Sequence, residues 1–579
     1  MYSNLAESIT SGIGTFQCRK FRKEKLERFD LIDQEYLARE YKKIAKNQSY
    51  VEANKYLLET DRFVIHDLNL LGDIDYLKLF AQRLSSECAL LIKRFPSDWQ
   101  RLLILKLEKY ALEIPDPEKY SKAGIAARLA CPRWWLRRVI VLQARTIENL
   151  KRKSGLVCAN GQIYCSSFSV MNRRRRRKLT SDLMKKVVAR NQLGQEFTLQ
   201  ELADKSVSNP RIKFSELMVR MRGFEDHSEK YDHIGLFITI TCPSRFHVFS
   251  SRKQGSGKRY YFKNKNYDSS LTVRDCQAYL NDVFAKTRSA LRHSDIKPYG
   301  FRVVEPHHDG TPHWHLMLFV RPEQKQETID IFCRYALADS PDERGAKKNR
   351  VKIVEIDKGK GSATGYICKY ISKAIDGRFT ENGSPAADLY GRDAVESSER
   401  IQTWASVHGV RQFQQIGGAP VGVWRELRRL GDIDGVEQPG TLADLVGAAC
   451  SSDWLGYLES MGGVHCSRSD YPVKLVKWVE HDPDTGEILS KLLNSYCEIL
   501  EGEVLGLEYE GEIFETRFYR WELDFLEPPP AATWSSINNC ASSNNHSLVN
   551  RKTIKDALKN TKNADSSIYE YLELAYQNA

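Results

Sequence analysis

A chain of 579 residues is too long for one hydrophobic core, and at ~150 residues per domain it should divide into about three or four units. Its 87 Lys and Arg against 75 Asp and Glu leave a net charge of +12, which suits a polyanion partner but fits a basic enzyme as well. Thirteen cysteines, odd in number and with no C-x-x-C pair, speak against a disulfide framework or a cysteine zinc site and favour a reducing compartment. No apolar run reaches the ~18 to 20 residues of a membrane span, and MYSNLAESITSG lacks a charged-then-apolar leader pattern, so a cytosolic protein with no membrane partner is expected.

From about Asn4 to Asn149, Leu, Lys, Glu and Arg recur at helical spacing with a break at Pro115 and Pro117, which predicts a helical N-terminal region over 1–150. Within it Trp134 and Trp135 stand among Arg133, Arg137 and Arg138; tryptophans buried under snorkelling arginines are favoured over base stacking. Residues 151–231 read as a basic helical region holding the run Arg173, Arg174, Arg175, Arg176, Arg177 and Lys178, with helical patterns resuming from Ser181 to Arg222, as in SDLMKKVVARNQ. Counterion release rewards such clustered charge on a phosphate backbone, while a solvated face or a nuclear address stays open.

His233 to Ser244, HIGLFITITCPS, is a β-branched run ending at a proline and predicts a strand. Next, GKRYYFKNKNY interleaves Lys258 and Arg259 with Tyr260, Tyr261, Phe262 and Tyr267. Cations track phosphates while aromatics stack on unpaired bases, so this stretch is expected to meet DNA. Val273 to Arg292 reads as one amphipathic helix. In FRVVEPHHDGTPHWHLMLFV, two apolar runs flank a polar turn, which predicts a hairpin. Side chains alternate along a strand, so His313 and His315 share a face, with Arg302 and Glu305 expected beside them. ETIDIFCRYALAD then reads as a helix, NRVKIVEID as a strand and GYICKYISKAIDG as a helix closed by Gly377. This order predicts an α+β domain over 232–378 with a central antiparallel sheet flanked by helices. Residues 379–460 read as an appendage. Residues 461–527 read as a small β-rich module, with VKLVKWVE, a His-Asp-Pro-Asp-Thr-Gly turn and IFETRFYRWELDF, and 528–579 as a linker and tail.

Two groups carry chemistry. Alone, His-x-His on a buried strand is more often structural than metal-binding. Glu305 across the hairpin shifts that balance, because a carboxylate with two imidazoles leaves positions open for water and phosphate oxygens, as Mg²⁺ or Mn²⁺ requires. His307, His308 and Asp309, in the turn, are weaker candidates. On the helix GYICKYISKAI, ~100° per residue sets Tyr366, Lys369, Tyr370 and Lys373 on one face and Ile367, Ile371, Ala374 and Ile375 on the other. A tyrosine with its ordinary pKa of ~10 is a poor nucleophile, so a neighbouring cation and a metal on the phosphate are useful aids. The bland alternative is a solvated amphipathic helix edged by aromatics. Together the groups suit attack of a tyrosine on a DNA phosphodiester, leaving a 5′-phosphotyrosine and a free 3′-hydroxyl.

In order, FITITCP, PHWHLMLF and Y-x-x-K-Y-x-x-K resemble the three signature motifs of the HUH endonucleases. The paired tyrosines, EPHHDGTPHWH and VRQFQQIGGAPVGVWRELRRL look most like the gene A replication proteins of tailed bacteriophages, over about Asp232 to Leu430. The resemblance implies a site- and strand-specific DNA endonuclease of the host cytoplasm that nicks an origin and re-joins strands, initiating and terminating rolling-circle replication. It implies His313 and His315 as metal ligands, Tyr366 and Tyr370 as nucleophiles, and Lys369 and Lys373 as helpers of the transition state; Glu305 is the third ligand, whose position varies among such families. GSGKRY and the series Gly359, Gly361, Gly365 miss the phosphate-loop pattern, so no helicase activity is expected here and a host replicative helicase is the partner implied. A relaxase or transposase of the same chemistry, or a DNA-binding replication protein that never cuts, are the alternatives.

Overall fold

The computed structural model describes residues 3–525, less 30, 62–67, 109, 111, 254–258, 358, 360, 378–392, 434, 478–493, 497, 499–501 and 520. The chain divides into two compact units: Met1–Ser154 with Val479–Glu503 and Pro529–Ala579, and Gly155–Trp478 with Val504–Pro528.

Among the described residues of the first unit, eight helices lie between Asn4 and Ser154, and the proline break separates Trp99–Glu108 from Lys122–Leu129. The helix Pro132–Ser154 buries Trp134 and Trp135. Trp135 Nε1 donates to the Leu129 carbonyl at 2.7 Å, and the Arg138 guanidinium lies 4.9 Å over the Trp134 ring, the snorkelling arrangement favoured from sequence.

The described residues hold thirteen strands: β1 (Val187–Asn191), β2 (Glu196–Thr198), β3 (Ile234–Thr241), β4 (Phe249–Lys253), β5 (Arg259–Lys263), β6 (Tyr299–Pro306), β7 (Pro312–Val320), β8 (Val351–Glu355), β9 (Phe413–Ile416), β10 (Val473–Lys477), β11 (Val504–Tyr509), β12 (Glu512–Glu515) and β13 (Trp521–Phe525). The central sheet of the second unit is antiparallel throughout, in the order β8-β3-β7-β6-β9. Both of its faces are covered. Leu236, Ile238, Ile240, Trp314, Leu316 and Leu318 pack on the helices Val273–His293 and Lys325–Leu337, while Phe237, Phe301, Val303, Met317 and Phe319 pack on the helices Pro210–Lys230 and Ala363–Ile375. From β3 to Ile375 the expected antiparallel sheet is present, and the expected element order is interrupted by a ribbon, β4–β5, between β3 and the helix Val273–His293, where the sequence predicts no strand.

Four local expectations need correction. SDLMKKVVARNQ is not helical throughout: the helix Ser167–Met184 carries the basic run, and Val187–Asn191 then forms β1. Val187, Val188 and Ala189 are buried, and β1 gains partners on both sides, β2 and β13. Distant pairing with β13 decides between helix and strand here, which a helical pattern in the local window could not show. IFETRFYRWELDF accordingly splits, since β12 pairs with β11 in the small sheet β10-β11-β12 and β13 leaves it for β1. The sheet's fifth strand, β9, comes from what read as an appendage. Finally, Arg302 is not beside the histidines: it sits on the opposite face, its guanidinium 4.0 Å from the Trp314 ring centroid, because residues an odd number apart along β6 point oppositely. The His-Asp-Pro-Asp-Thr-Gly turn and the linker and tail lie outside the described residues.

Candidate active site

The hairpin turn closes with His307 N donating to Thr311 O at 2.7 Å and Gly310 N to His307 O at 2.9 Å. Gly310 has φ of 78°, a backbone state open to glycine at little cost. The turn fixes the register, which sets Glu305 opposite His313 and Val303 opposite His315, while β3 places Thr241 and Thr239 on their other side. Glu305, His313 and His315 thereby converge, with one ligand atom from each within 4.8 Å of the others.

The polar atoms of this triad are unusually bare for a buried site. Glu305 Oε1, His313 Nδ1 and His315 Nε2 are buried with no hydrogen-bond partner. Such atoms cost free energy unless something satisfies them. A divalent cation does so, and the donor set of one carboxylate and two imidazoles fits one. Thr239 Oγ1 meets His315 Nδ1 at 3.0 Å, which turns Nε2 toward Glu305, 3.9 Å away. Burial holds both imidazoles neutral, the ligating state: His313 is pushed well below the ordinary histidine range and His315 down to about 3. Burial also raises Glu305, against the pull of Lys373, whose ammonium lies 3.4 Å from its Oε2.

His307 is closer to this centre than its place in a turn suggested. Its ring is 4.0 Å from that of His313, and its Nε2 is likewise buried without a partner. Asp309 is structural: it accepts from Val248 N at 2.9 Å and from Thr311 N at 3.1 Å. The His308 ring packs on Tyr261, 4.5 Å between centroids.

The tyrosine helix Ala363–Ile375 lies over the same face. Ile367, Ile371, Ala374 and Ile375 are buried as its amphipathic pattern predicts, at ~1.5–3 kcal/mol for each large aliphatic side chain. Tyr370 packs its ring 4.1 Å from that of His315 and 5.4 Å from Phe237. Burial and the neighbouring Glu305 push the Tyr370 phenol up to about 12. Tyr366 stands one turn earlier, half exposed, its ring 5.8 Å from Phe237. Lys373 reaches Glu305 and lies over the Tyr164 ring at 5.2 Å, whereas Lys369 is exposed. Gly377, with φ of 70°, ends the helix as expected, its N–H donating to Ser372 O at 2.9 Å.

Sequence reasoning missed the residues that hold this geometry. Glu225, buried on the helix Pro210–Lys230, accepts from Ala363 N, Thr364 N and Thr364 Oγ1, pinning the first turn of the tyrosine helix. Thr239 lies inside the strand expected from HIGLFITITCPS, and its alternation with Thr241 on the histidine face is the available signal. Of the residues expected to meet DNA, Arg173 and Arg174 bond to Gln402 and Glu399, while Arg175, Arg176 and Arg177 are exposed. Tyr260 is exposed on β5, Lys258 lies outside the described residues, and of Arg259 only the backbone, on β5, is described.

Residues 110–378 match the family model for bacteriophage replication gene A protein. The chain is similar to the replication protein of Haemophilus phage HP1 (37% identity; 73% of this chain, 54% of that one), and to the replication gene A protein of Escherichia phage 186 (33%; 71% and 58%). It also resembles a probable replication endonuclease from a prophage-like region of Salmonella paratyphi A (29%; 72% and 52%). The chain thus spans little more than half the length of these relatives. No solved structure matches it. Among the described residues, no helix is long and apolar enough to cross a membrane.

Proposed function

We propose that the second unit is an HUH-type endonuclease domain that nicks one DNA strand at a replication origin, holds the 5′ end on a tyrosine, and later re-joins it, starting and ending rolling-circle replication of phage DNA. The observation that carries this reading is the packing of Tyr370 on His315 within the Glu305, His313 and His315 triad. The relatives named replication endonuclease support it.

Glu305, His313 and His315 would hold Mg²⁺ or Mn²⁺, which when bound supplies positive charge at a phosphate oxygen. The phenol oxygen of Tyr366 or Tyr370 forms a bond to phosphorus as the bond from phosphorus to the 3′-oxygen breaks. The phenol proton ends on that oxygen, giving a 3′-hydroxyl and a 5′-phosphotyrosine. One phosphate ester replaces another, so the step reverses readily, as strand joining requires. The Lys373 ammonium, held at Glu305, offsets charge on the attacked phosphate, with exposed Lys369 on its outer side. Two tyrosines on one helix face let one keep the parental 5′ end while the other cuts the regenerated origin. Exposed Arg175, Arg176 and Arg177 are suited to duplex phosphates, and a host helicase supplies unwinding.

Incubation with supercoiled origin DNA and Mn²⁺ should give nicked circles with covalently attached protein. Changing Tyr366 and Tyr370 together to Phe should remove the adduct; an undiminished adduct would overturn the nucleophile assignment. Unchanged nicking by His313→Ala would overturn the ligand assignment.

A further inference from the structure

A two-stranded ribbon, β4–β5, lies in the chain between β3 and the helix Val273–His293 and stands against the turn that joins the two ligand-bearing strands. Alone, such a ribbon is marginal in water, so its footing matters. Here the footing is the active-site turn. Asp309 accepts from Val248 N just before β4, Thr311 Oγ1 donates to Phe246 O at 3.3 Å, and Asn264 just after β5 donates to Val248 O at 3.0 Å. The register pairs Ser250 with Phe262 and Arg252 with Tyr260, so these four share one face, while Phe249 and Tyr261 share the other. The Tyr261 ring lies 4.5 Å from that of His308 and Phe249 lies 6.3 Å from it, so the second face rests on the turn. The first is turned outward: Tyr260 is 48% and Phe262 41% exposed, with the Arg252 guanidinium 5.4 Å from the Phe262 ring.

We propose that this outer face is a stacking platform for an unpaired DNA strand bordering the nick site, with Tyr260 and Phe262 taking base planes and Arg252 a phosphate. Large aromatics are costly to expose, and here they share their face with the Arg252 guanidinium, with Lys265 exposed just beyond β5, a cationic setting that matches a polyanion with π-faces better than an apolar protein surface. Same-face neighbours on a strand are ~6.6 Å apart, close to twice the ~3.4 Å spacing of stacked bases, so one base fits between the rings. The proposal deepens the endonuclease reading by adding how the strand is held, and it corrects the sequence expectation: Tyr260 and Phe262 face the strand, whereas Tyr261 anchors the ribbon.

The test measures binding of the full-length protein to a single-stranded oligonucleotide in EDTA, where no cleavage chemistry contributes, over a range of salt concentrations. Tyr260→Ala with Phe262→Ala should weaken binding about 10- to 100-fold and leave the slope of log affinity against log salt unchanged, because stacking is lost and phosphate contacts are not. Arg252→Ala should lower that slope by ~0.7. Tyr260→Phe should bind as the parent protein does. A double-alanine variant that melts like the parent and binds the strand as tightly would overturn the proposal, as would equal weakening by Tyr260→Phe. Because cleavage is not read, failure of the platform and failure of the tyrosine chemistry are separate results.

Discussion

Glu225→Ala should unlock the tyrosine helix without dismantling the sheet beneath it. The Glu225 side chain is buried, with its carboxylate set at the N-terminus of the helix Ala363–Ile375, where exposed N–H groups and the helix dipole favour a negative charge. It accepts from two backbone N–H groups and from the Thr364 hydroxyl, and Arg222 lies 3.5 Å from it. Truncation leaves those three donors without an acceptor where water scarcely reaches. At roughly 1 kcal/mol for each bond lost, the local cost is about 2–3 kcal/mol. Ile367, Ile371 and Ile375 still bury the rest of the helix, so the loss should appear as fraying of its first turn. Amide hydrogen exchange reads this directly: protection over residues 363–366 should fall about 30- to 150-fold, each ~1.4 kcal/mol being a factor of ten. Glu225→Gln keeps an acceptor oxygen and should lose less. Nicking should weaken with the fraying, since Tyr366 sits in that turn, while Mn²⁺ affinity of the triad holds. Unchanged exchange in Glu225→Ala would refute the reasoning.

Thr239→Val should weaken Mn²⁺ binding about 10- to 100-fold, because His315 loses the hydroxyl that orients its ring; Thr239→Ser should retain it, as titration calorimetry can check. Gly377→Ala should lower the melting temperature at a cost of about 1–3 kcal/mol, since a Cβ at φ 70° would stand 2.2 Å from Ala394 O. His227 is buried against Tyr299 and held neutral, with burial pushing it down to about 4. The unfolded imidazole titrates near ~6.5, so between those values the unfolded chain binds the extra proton and stability falls as pH drops, by up to ~3 kcal/mol. Burial lowers His233 and His465 too, adding in the same direction, and His227→Gln should flatten the acid limb of chemical denaturation. His307→Ala should weaken Mn²⁺ binding only where its bare Nε2 belongs to the ligand set, and equal affinity would leave Glu305 as the third donor.

What could be read in advance follows the range over which each feature is decided. The β6–β7 hairpin is local: a turn ending in Gly310 and alternation over a few residues fix which face His313 and His315 occupy, and Glu305 comes with the register. The tyrosine helix is legible for the same reason, its buried isoleucines following the 3.6-residue period. Partners distant in sequence decided the rest. β1 is a strand because β13 pairs with it from the far end of the unit, and β9 completes the central sheet from beyond a stretch that reads as a boundary. Glu225 is invisible for another reason. It sits in an ordinary helical pattern, and only the docking of two helices gives its carboxylate a purpose.

The arginine at 302 and the glutamate at 305 show why face matters more than proximity in a sheet-based site. Both lie on the strand that pairs with the histidines, yet Arg302 serves the packing of Trp314 on one side while Glu305 faces the imidazoles on the other. The sheet is therefore a partition. Its one face is closed by helices into an apolar core, and the other carries the bare polar atoms of Glu305, His313 and His315 together with the tyrosines laid over them. The same parity recurs on the ribbon, where Tyr261 turns in to the active-site turn and Tyr260 and Phe262 turn out. Period-2 alternation thus separates what holds the site from what meets the substrate at both places, and a one-residue slip in either hairpin would exchange the two roles.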